Sequence, residues 1–413
     1  MTHNLSPQTD ARGVVVSECK PSSLEDYERA LYQFQSYFGD PTETLAATVE
    51  NDPEFVMGHV FNASAMLMMT ERQYIPAIRH SIERAESLSH KSNDREKELI
   101  TAARDCLEGR WDRACVAWDR VLARYPRDAM AIQCAHLMDF FRGDAVNLRD
   151  RVGRVIQHWH ESVPGYSYIL GMQAFGFEEC NQYDKAEETA NKALEIERRD
   201  GWSVHALAHV MEMQGRYEEG KDLMLSREQD WAPDNGFASH NWWHLALFHI
   251  EHEDFPSAVR LYDEKVIPED SDITARMLDA TALLWRLHLQ GVDDVYDLEW
   301  APGVVYREVR YQEEVEQTKY AFGMIDMSET DFAAFHRDLF DKYQQMSETL
   351  VRSGLVFPAL DACLKCSHTF NLLDASGGIG VTERAAYILR VRQLAVAIAR
   401  VHIGEPAGSS AEE

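Results

Sequence analysis

Four histidines stand in two pairs of identical spacing, His205-x3-His209 and His240-x3-His244. Residues four apart on a helix lie one above the other on one face, so each pair aims two imidazoles the same way. Imidazole ligates zinc, iron, copper and nickel, and near neutral pH it also gives and takes protons. Trp202 and Glu212 share the face of the first pair, and Asn241 and Trp243 sit within the second. Upstream, Tyr168, Phe175, Glu178 and Glu179 fall on the equivalent face of one more helix. Three chemistries are open to such a set. His205, His209, His240 and His244 could hold a divalent metal with a glutamate beside them, which suits a metal-dependent hydrolase or oxidase. Kept neutral, the same histidines could bind a small molecule or short peptide and act on it as acids and bases, with Trp202 and Trp243 as walls and Glu178 or Glu212 as partners. Alternatively the rings pack between helices, and the protein is a non-catalytic scaffold for other proteins. Two features weigh against the metal: His244 lies one position off the register of His205, and the His-Ala-Leu-Ala-His run lacks the glutamate of a zinc-protease helix. The residues therefore favour ligand capture. The four histidines are the candidates for catalysis, and Tyr168, Phe175, Glu178, Glu179, Trp202, Glu212, Asn241 and Trp243 those for ligand binding. No cofactor is implied beyond that divalent ion.

The elements that must hold these residues announce themselves by repetition. A small or polar pair followed by an aromatic recurs as Arg72-Gln73-Tyr74, Gly109-Arg110-Trp111, Asn181-Gln182-Tyr183, Gly215-Arg216-Tyr217 and Glu253-Asp254-Phe255. The aromatics are 37, 72, 34 and 38 residues apart, and Gly143-Asp144-Ala145 fills the double interval. A period in this range is that of a tetratricopeptide unit, helix–turn–helix. Apolar-periodic helices precede each phrase and amphipathic ones follow it. No segment alternates with strand period between turn signals, so no sheet is expected. The fold class is all-α, a tetratricopeptide-like helix-pair solenoid with a helical C-terminal cap. First helices of such units line the concave side, which places the histidines in the groove. Residues 1–22 read as a flexible arm, 23–300 as the repeats, 301–403 as further helix pairs or a cap, and 404–413 as a disordered tail. Helices are expected over 306–324, 330–351, 356–373 and 382–401.

Composition narrows the partners. Lys and Arg number 41 against 69 Asp and Glu, a net charge of −28, and that field repels nucleic acid and anionic lipid. No apolar run is long enough for a membrane helix. Seven cysteines scattered through helical segments make no disulfide framework, which points to a reducing, cytoplasmic setting. Cys363-x2-Cys366 stands without a second such pair and reads as buried helix packing. A homodimer is compatible with the pattern.

Several stretches resemble the tetratricopeptide repeat protein 38-like family: Gly165–Glu179, Asp200–Arg216, Ser239–Phe248, Leu261–Asp263 and Met277–Leu287. The likeness runs over about residues 94–292. His-Ala-x-Ala-His-Val and His-Asn-x-Trp-His segments recur in that family, which here are His205, His209, His240, Asn241, Trp243 and His244. The resemblance implies a helical-repeat fold and no particular reaction. Clamp-type tetratricopeptide grooves grip carboxylate tails with Lys, Arg and Asn; these positions hold His, Trp, Tyr and Glu instead, which disfavours chaperone-tail binding.

Overall fold

The computed structural model describes residues 7–267, 273–290, 292, 299–301, 304–305, 329–376 and 378–404. Two units divide the chain, Met1–Val295 and Tyr296–Glu413.

The first unit is an all-α helix-pair solenoid. Its helices are α1 (Pro21–Ser36), α2 (Pro41–Asn51), α3 (Val56–Met68), α4 (Ile75–Ser87), α5 (Asp94–Leu107), α6 (Trp111–Arg124), α7 (Ala129–Phe141) and α8 (Ala145–Val155). They continue as α9 (Tyr166–Glu179), α10 (Tyr183–Ile196), α11 (Gly201–Met213), α12 (Tyr217–Ser226), the single turn α13 (Glu228–Trp231), α14 (Ala238–Glu251), α15 (Phe255–Leu261) and α16 (Thr274–Leu289). The recurring phrase marks the turn inside each pair. Trp111, Tyr183, Tyr217 and Phe255 are the first residues of α6, α10, α12 and α15, and Ala145 opens α8. Two positions earlier the backbone is left-handed every time: Gly109, Gly143, Asn181, Gly215 and Glu253 have φ of 75°, 66°, 58°, 69° and 56°. That conformation ends the first helix and costs least at glycine, which explains the small-residue start of the phrase.

Burial separates the two helices of a pair. The first helices α7, α9, α11 and α14 are buried on most faces, whereas α10 buries only the stripe Ala186, Ala190, Ala193 and Leu194. Such a stripe is the mark of an outer helix with one solvated face. Acidic residues cap two of these inner helices, α7 and α11: the Asp128 carboxylate accepts from the backbone N–H of Ala131, and that of Asp200 from Trp202 and Ser203. Close packing is enforced where α9 crosses α8, because a Cβ on Gly176 would lie 2.6 Å from the Arg149 Cα.

Two features depart from the sequence reading. Residues 7–20, expected within a loose arm, are folded. Strands β1 (Gln8–Thr9) and β2 (Val15–Val16) form an antiparallel hairpin, whose turn is held by N–H groups of Arg12 and Val14 donating to the Asp10 carboxylate at 2.9 and 2.7 Å. The Ser17 N–H then donates to buried Glu96 at 2.8 Å and anchors the hairpin to α5. Secondly, the inner side of the stack is filled. The turn after α1 meets the loop before α14: Asn235 Nδ2 donates to the Ser36 carbonyl at 3.1 Å, and the Gly236 N–H to that of Tyr37 at 2.8 Å. Glu71, from the turn after α3, accepts from the Thr274 N–H at 2.6 Å and so caps α16. These contacts join residues about two hundred positions apart, and the last of them holds the start of α16, the helix that carries Asp279.

The second unit contains a short antiparallel hairpin, β3 (Glu299–Ala301) and β4 (Val304–Val305), a second departure from the expected absence of sheet. Three helices follow: α17 (Glu329–Arg352), α18 (Val356–Ala375) and α19 (Val381–His402). They match three of the four expected helices, while the fourth, over 306–324, lies outside the described residues, as do 1–6 and 405–413. Phe340, Cys363, Cys366, Leu373, Tyr387 and Leu394 form its core. Cys363 and Cys366 belong to that helix packing. No helix among the described residues is long and apolar enough to cross a membrane.

Candidate functional site

Helix α11 starts at the buried Asp200 cap and carries Trp202, His205, His209 and Glu212 at spacings of three, four and three, on one side of the helix. Burial pushes the Asp200 carboxyl up to about 7. Helix α14 carries His240, Trp243 and His244. The four imidazoles converge. His205 Nε2 lies 2.9 Å from His209 Nε2 and 3.1 Å from His240 Nε2. One nitrogen from each of the four rings lies within 4.8 Å of all the others. The off-register position of His244 does not prevent this: its ring centre stands 4.5 Å from that of His209 and 5.0 Å from that of His205. His205 and His244 are buried, His209 and His240 half-buried, so the cluster is closed on one side and reaches solvent on the other.

Carboxylates stand behind the rings. His240 Nδ1 is 2.8 Å from Asp279 Oδ2, His244 Nδ1 is 3.3 Å from Glu212 Oε2, and His209 Nδ1 is 3.5 Å from Glu178 Oε2. At His240 and His244, where the contact is a hydrogen bond, the carboxylate fixes the proton on Nδ1 and turns the Nε2 lone pair inward. Bare lone pairs about 3 Å apart repel. A proton on His205 Nε2, the one ring here whose Nδ1 faces no carboxylate, would relieve one of its two contacts and leave the other, and it would leave His205 Nδ1 buried without a partner. A cation among the Nε2 atoms relieves every contact at once. Ligand bonds of about 2.0–2.1 Å to a metal separate neighbouring nitrogens by roughly 2.9–3.4 Å, depending on geometry. The observed 2.9 and 3.1 Å fall in that range.

The electrostatics have the same sense. Burial, then the neighbouring imidazoles, hold His205 and His244 well below the usual histidine range, and Arg286 adds to the effect on His244. His209 is lowered for the same two reasons against the opposing pull of Glu212. These rings are neutral at pH 7, which is the metal-binding form. The Glu178 carboxyl is pushed up to about 8 by burial and then by the charges of Glu179 and Glu212. Burial also raises Glu179 and Glu212. Three acidic side chains are crowded here, and burial keeps the proton on Glu178 at pH 7, while Arg286 and the imidazoles act in the opposite sense on Glu212.

The other expected ligand-binding residues have a different place. Tyr168, Phe175, Trp202 and Asn241 are buried and do not face an open groove. Phe175 and Trp202 wall the closed side of the cluster, 5.2 and 5.1 Å from the His205 ring. Asn241 donates to the Gly201 carbonyl at 3.2 Å and ties α14 to the start of α11. Trp243 is half-buried, stacked on His240 at 5.5 Å, with the Arg286 guanidinium 5.2 Å over its outer face. Three contributors were not read from the sequence. Asp279 lies 39 residues after His240, about one repeat on, so the register itself could have found it. Tyr37 and Phe237 could not be found that way: Tyr37 stacks 5.1 Å from Phe237 and 6.0 Å from Trp202 and plugs the closed side, and both come from irregular turns.

Two comparisons bear on the chain. The family model for the glycyl-tRNA synthetase alpha subunit matches residues 274–406, less than half of the chain and none of the four histidines. A solved structure, the apo form of RapI, is similar at 10% identity over 86% of this chain and 98% of that one, with a TM-score of 0.44.

Proposed function

We propose that the first unit is a metal-binding helical-repeat domain in which His205, His209, His240 and His244 hold one divalent first-row transition ion. The observation that carries this reading is the convergence of four imidazoles, three of them (His205, His209 and His244) held below the usual histidine range, with acidic side chains beside the Nδ1 of His209, His240 and His244. Neighbouring ring centres are 4.4–5.0 Å apart, so the space between them suits an ion and is too small for an organic ligand. An all-nitrogen set suits zinc, iron, nickel or copper better than magnesium or calcium. Such an ion supplies Lewis acidity. The half-buried edges of His209 and His240 leave a side from which a small molecule can approach it, so ligand capture and metal binding become one function: the ion is the anchor and Trp243 the wall. The likeness of residues 94–292 to tetratricopeptide repeat protein 38-like proteins fits this reading, because both histidine segments recur there. The fold alone would serve a protein-interaction scaffold equally well; the histidine–carboxylate arrangement favours the metal.

The test is metal analysis of untagged protein after reconstitution with zinc, cobalt, iron and nickel in turn. One equivalent of at least one of these metals is expected, and none in His205→Ala/His240→Ala protein that still melts cooperatively. A stoichiometry near zero with all four metals would sink the reading.

A further inference from the structure

Along α18 and α19, two rows of large apolar side chains face solvent on the side opposite the core of the second unit. On α18, Phe357, Leu360 and Leu364 follow one another at spacings of three and four, and so share a face. On α19, Leu389, Val396 and, just past the helix end, Ile403 stand seven apart, with Ala385 and Ala399 at intermediate positions, which is the spacing of a helix–helix seam. The core residues of the same helices, Cys363 and Cys366 on α18 and Tyr387 and Leu394 on α19, point the other way. Helix α17 packs on that core side: Ser347 Oγ donates to the Ala359 carbonyl at 2.9 Å, and Arg390 Nε to Gln344 Oε1 at 2.6 Å. The two apolar rows therefore lie together on the side of α18 and α19 turned away from α17. Their six large side chains are 42–78% exposed. At roughly 200 Å² for a residue of this size, they leave on the order of 700 Å² in water. The largest apolar patch of a monomer is ordinarily about 300–600 Å², and a stable interface takes about 800 Å² from each partner.

Charge decides which partner fits. Two chains of net charge −28 repel each other over most of their surface. Residues 329–403 are the exception, with eight Asp and Glu against eight Lys and Arg. The face also carries opposite charges on its two helices. Arg392 is the one charged residue of the α19 row, and Asp361 borders the α18 row, where it pairs with Lys365 of its own helix at 2.7 Å. Cys363 Sγ donates to the Val391 carbonyl at 3.8 Å, so Asp361 and Arg392 stand within about one residue of the same height on neighbouring helices.

We propose that this face is a homodimer interface, in which a second copy related by a two-fold axis along the helices closes a four-helix bundle. Such an axis lays α19 of each protomer over α18 of the other and keeps every residue at its own height, so Arg392 meets the partner's Asp361, twice. Reciprocal contacts of this kind are what a two-fold interface requires. Antiparallel neighbours are the ordinary arrangement of a four-helix bundle. The inference concerns the second unit and does not depend on the histidine centre.

Sedimentation velocity of the full-length chain, from the nanomolar to the high micromolar range, tests the interface. Expected is a reversible dimer whose dissociation constant rises at least about a hundredfold in Leu364→Asp and in Val396→Asp, since symmetry enters each change twice. Both positions are more than half exposed, so both variants should keep the melting curve of the dissociated wild type. Arg392→Glu should weaken the dimer about tenfold, and adding Asp361→Arg should restore it. A monomer at every concentration would overturn the proposal and leave the face to a different protein. A dimer that neither apolar variant weakens would place the contact elsewhere and overturn it too. A loss in Arg392→Glu that Asp361→Arg does not recover would overturn the two-fold pairing of α18 with α19.

Discussion

Replacing Asp279 by alanine tests the metal centre without touching a ligand. Its carboxylate stands 2.8 Å from His240 Nδ1, and the two side chains are 18% and 27% exposed. Without that acceptor nothing holds the Nδ1–H tautomer, and the His240 ring is free to turn its lone pair away from the cluster. Loss of such an outer partner typically weakens metal affinity about 10–100-fold, or ~1.4–2.7 kcal/mol. The metal-free protein should notice little, since a histidine–carboxylate contact this close to solvent is worth roughly 1 kcal/mol or less. Competition with a chromophoric chelator for zinc measures the first quantity, and urea unfolding of metal-free protein the second. At saturating metal the loaded variant should lose the same increment of stability that its affinity loses. Asp279→Asn should fall between, because the amide oxygen still accepts the Nδ1 proton but brings no charge. Unchanged zinc affinity in the alanine variant would refute the reasoning, as would an affinity loss matched by an equal loss of metal-free stability.

Acid should destabilise the metal-free protein through its buried histidines. In the native state His205 and His244 are held well below the unfolded value of about 6.5. The unfolded chain therefore binds more protons below about pH 6.5, so their stabilisation is full above that pH and is lost as pH falls. Together they should cost about 2 kcal/mol between pH 6.5 and 5.5, read by urea unfolding, and His205→Gln/His244→Gln should flatten the slope; an unaltered slope would exclude them as its source. Gly176→Ala should destabilise by about 1–3 kcal/mol, because the new Cβ would meet the backbone of Arg149 and Leu148, which cannot swing aside. Gly153→Ala, with nothing within 4 Å of its Cβ, is the control and should be neutral or stabilising in a thermal melt.

Much of this was legible in the chain because it is local. Trp111, Tyr183, Tyr217 and Phe255 mark helix starts since the turn before each needs a left-handed residue, and that need leaves a periodic trace in the residue types. His205 with His209, and His240 with His244, share a face by helix geometry alone. The distance between the two pairs is a different matter. It depends on how closely α11 and α14 approach and how far one is rotated against the other, which side-chain volumes such as those of Phe175, Trp202 and Phe237 determine. By register His244 argued against a metal; in the packed structure its ring is 4.5 Å from that of His209.

The closed inner side has the same origin. Tyr37 stacks on Trp202 and Phe237 because the turn after α1 bonds to Asn235 and Gly236, and nothing in either segment points to the other. Glu71 caps α16 across a sequence separation of 203, and Asp279 reaches His240 from that helix. By itself, then, the sequence determined the helices, their pairing and the faces that carry histidine, all of which follow from a period of 3.6 residues and a repeated turn. Only the tertiary structure decided that the two histidine faces meet at one point, backed by carboxylates and sealed by aromatic rings. Convergence depends on distances between helices, which residue spacing along one helix does not encode.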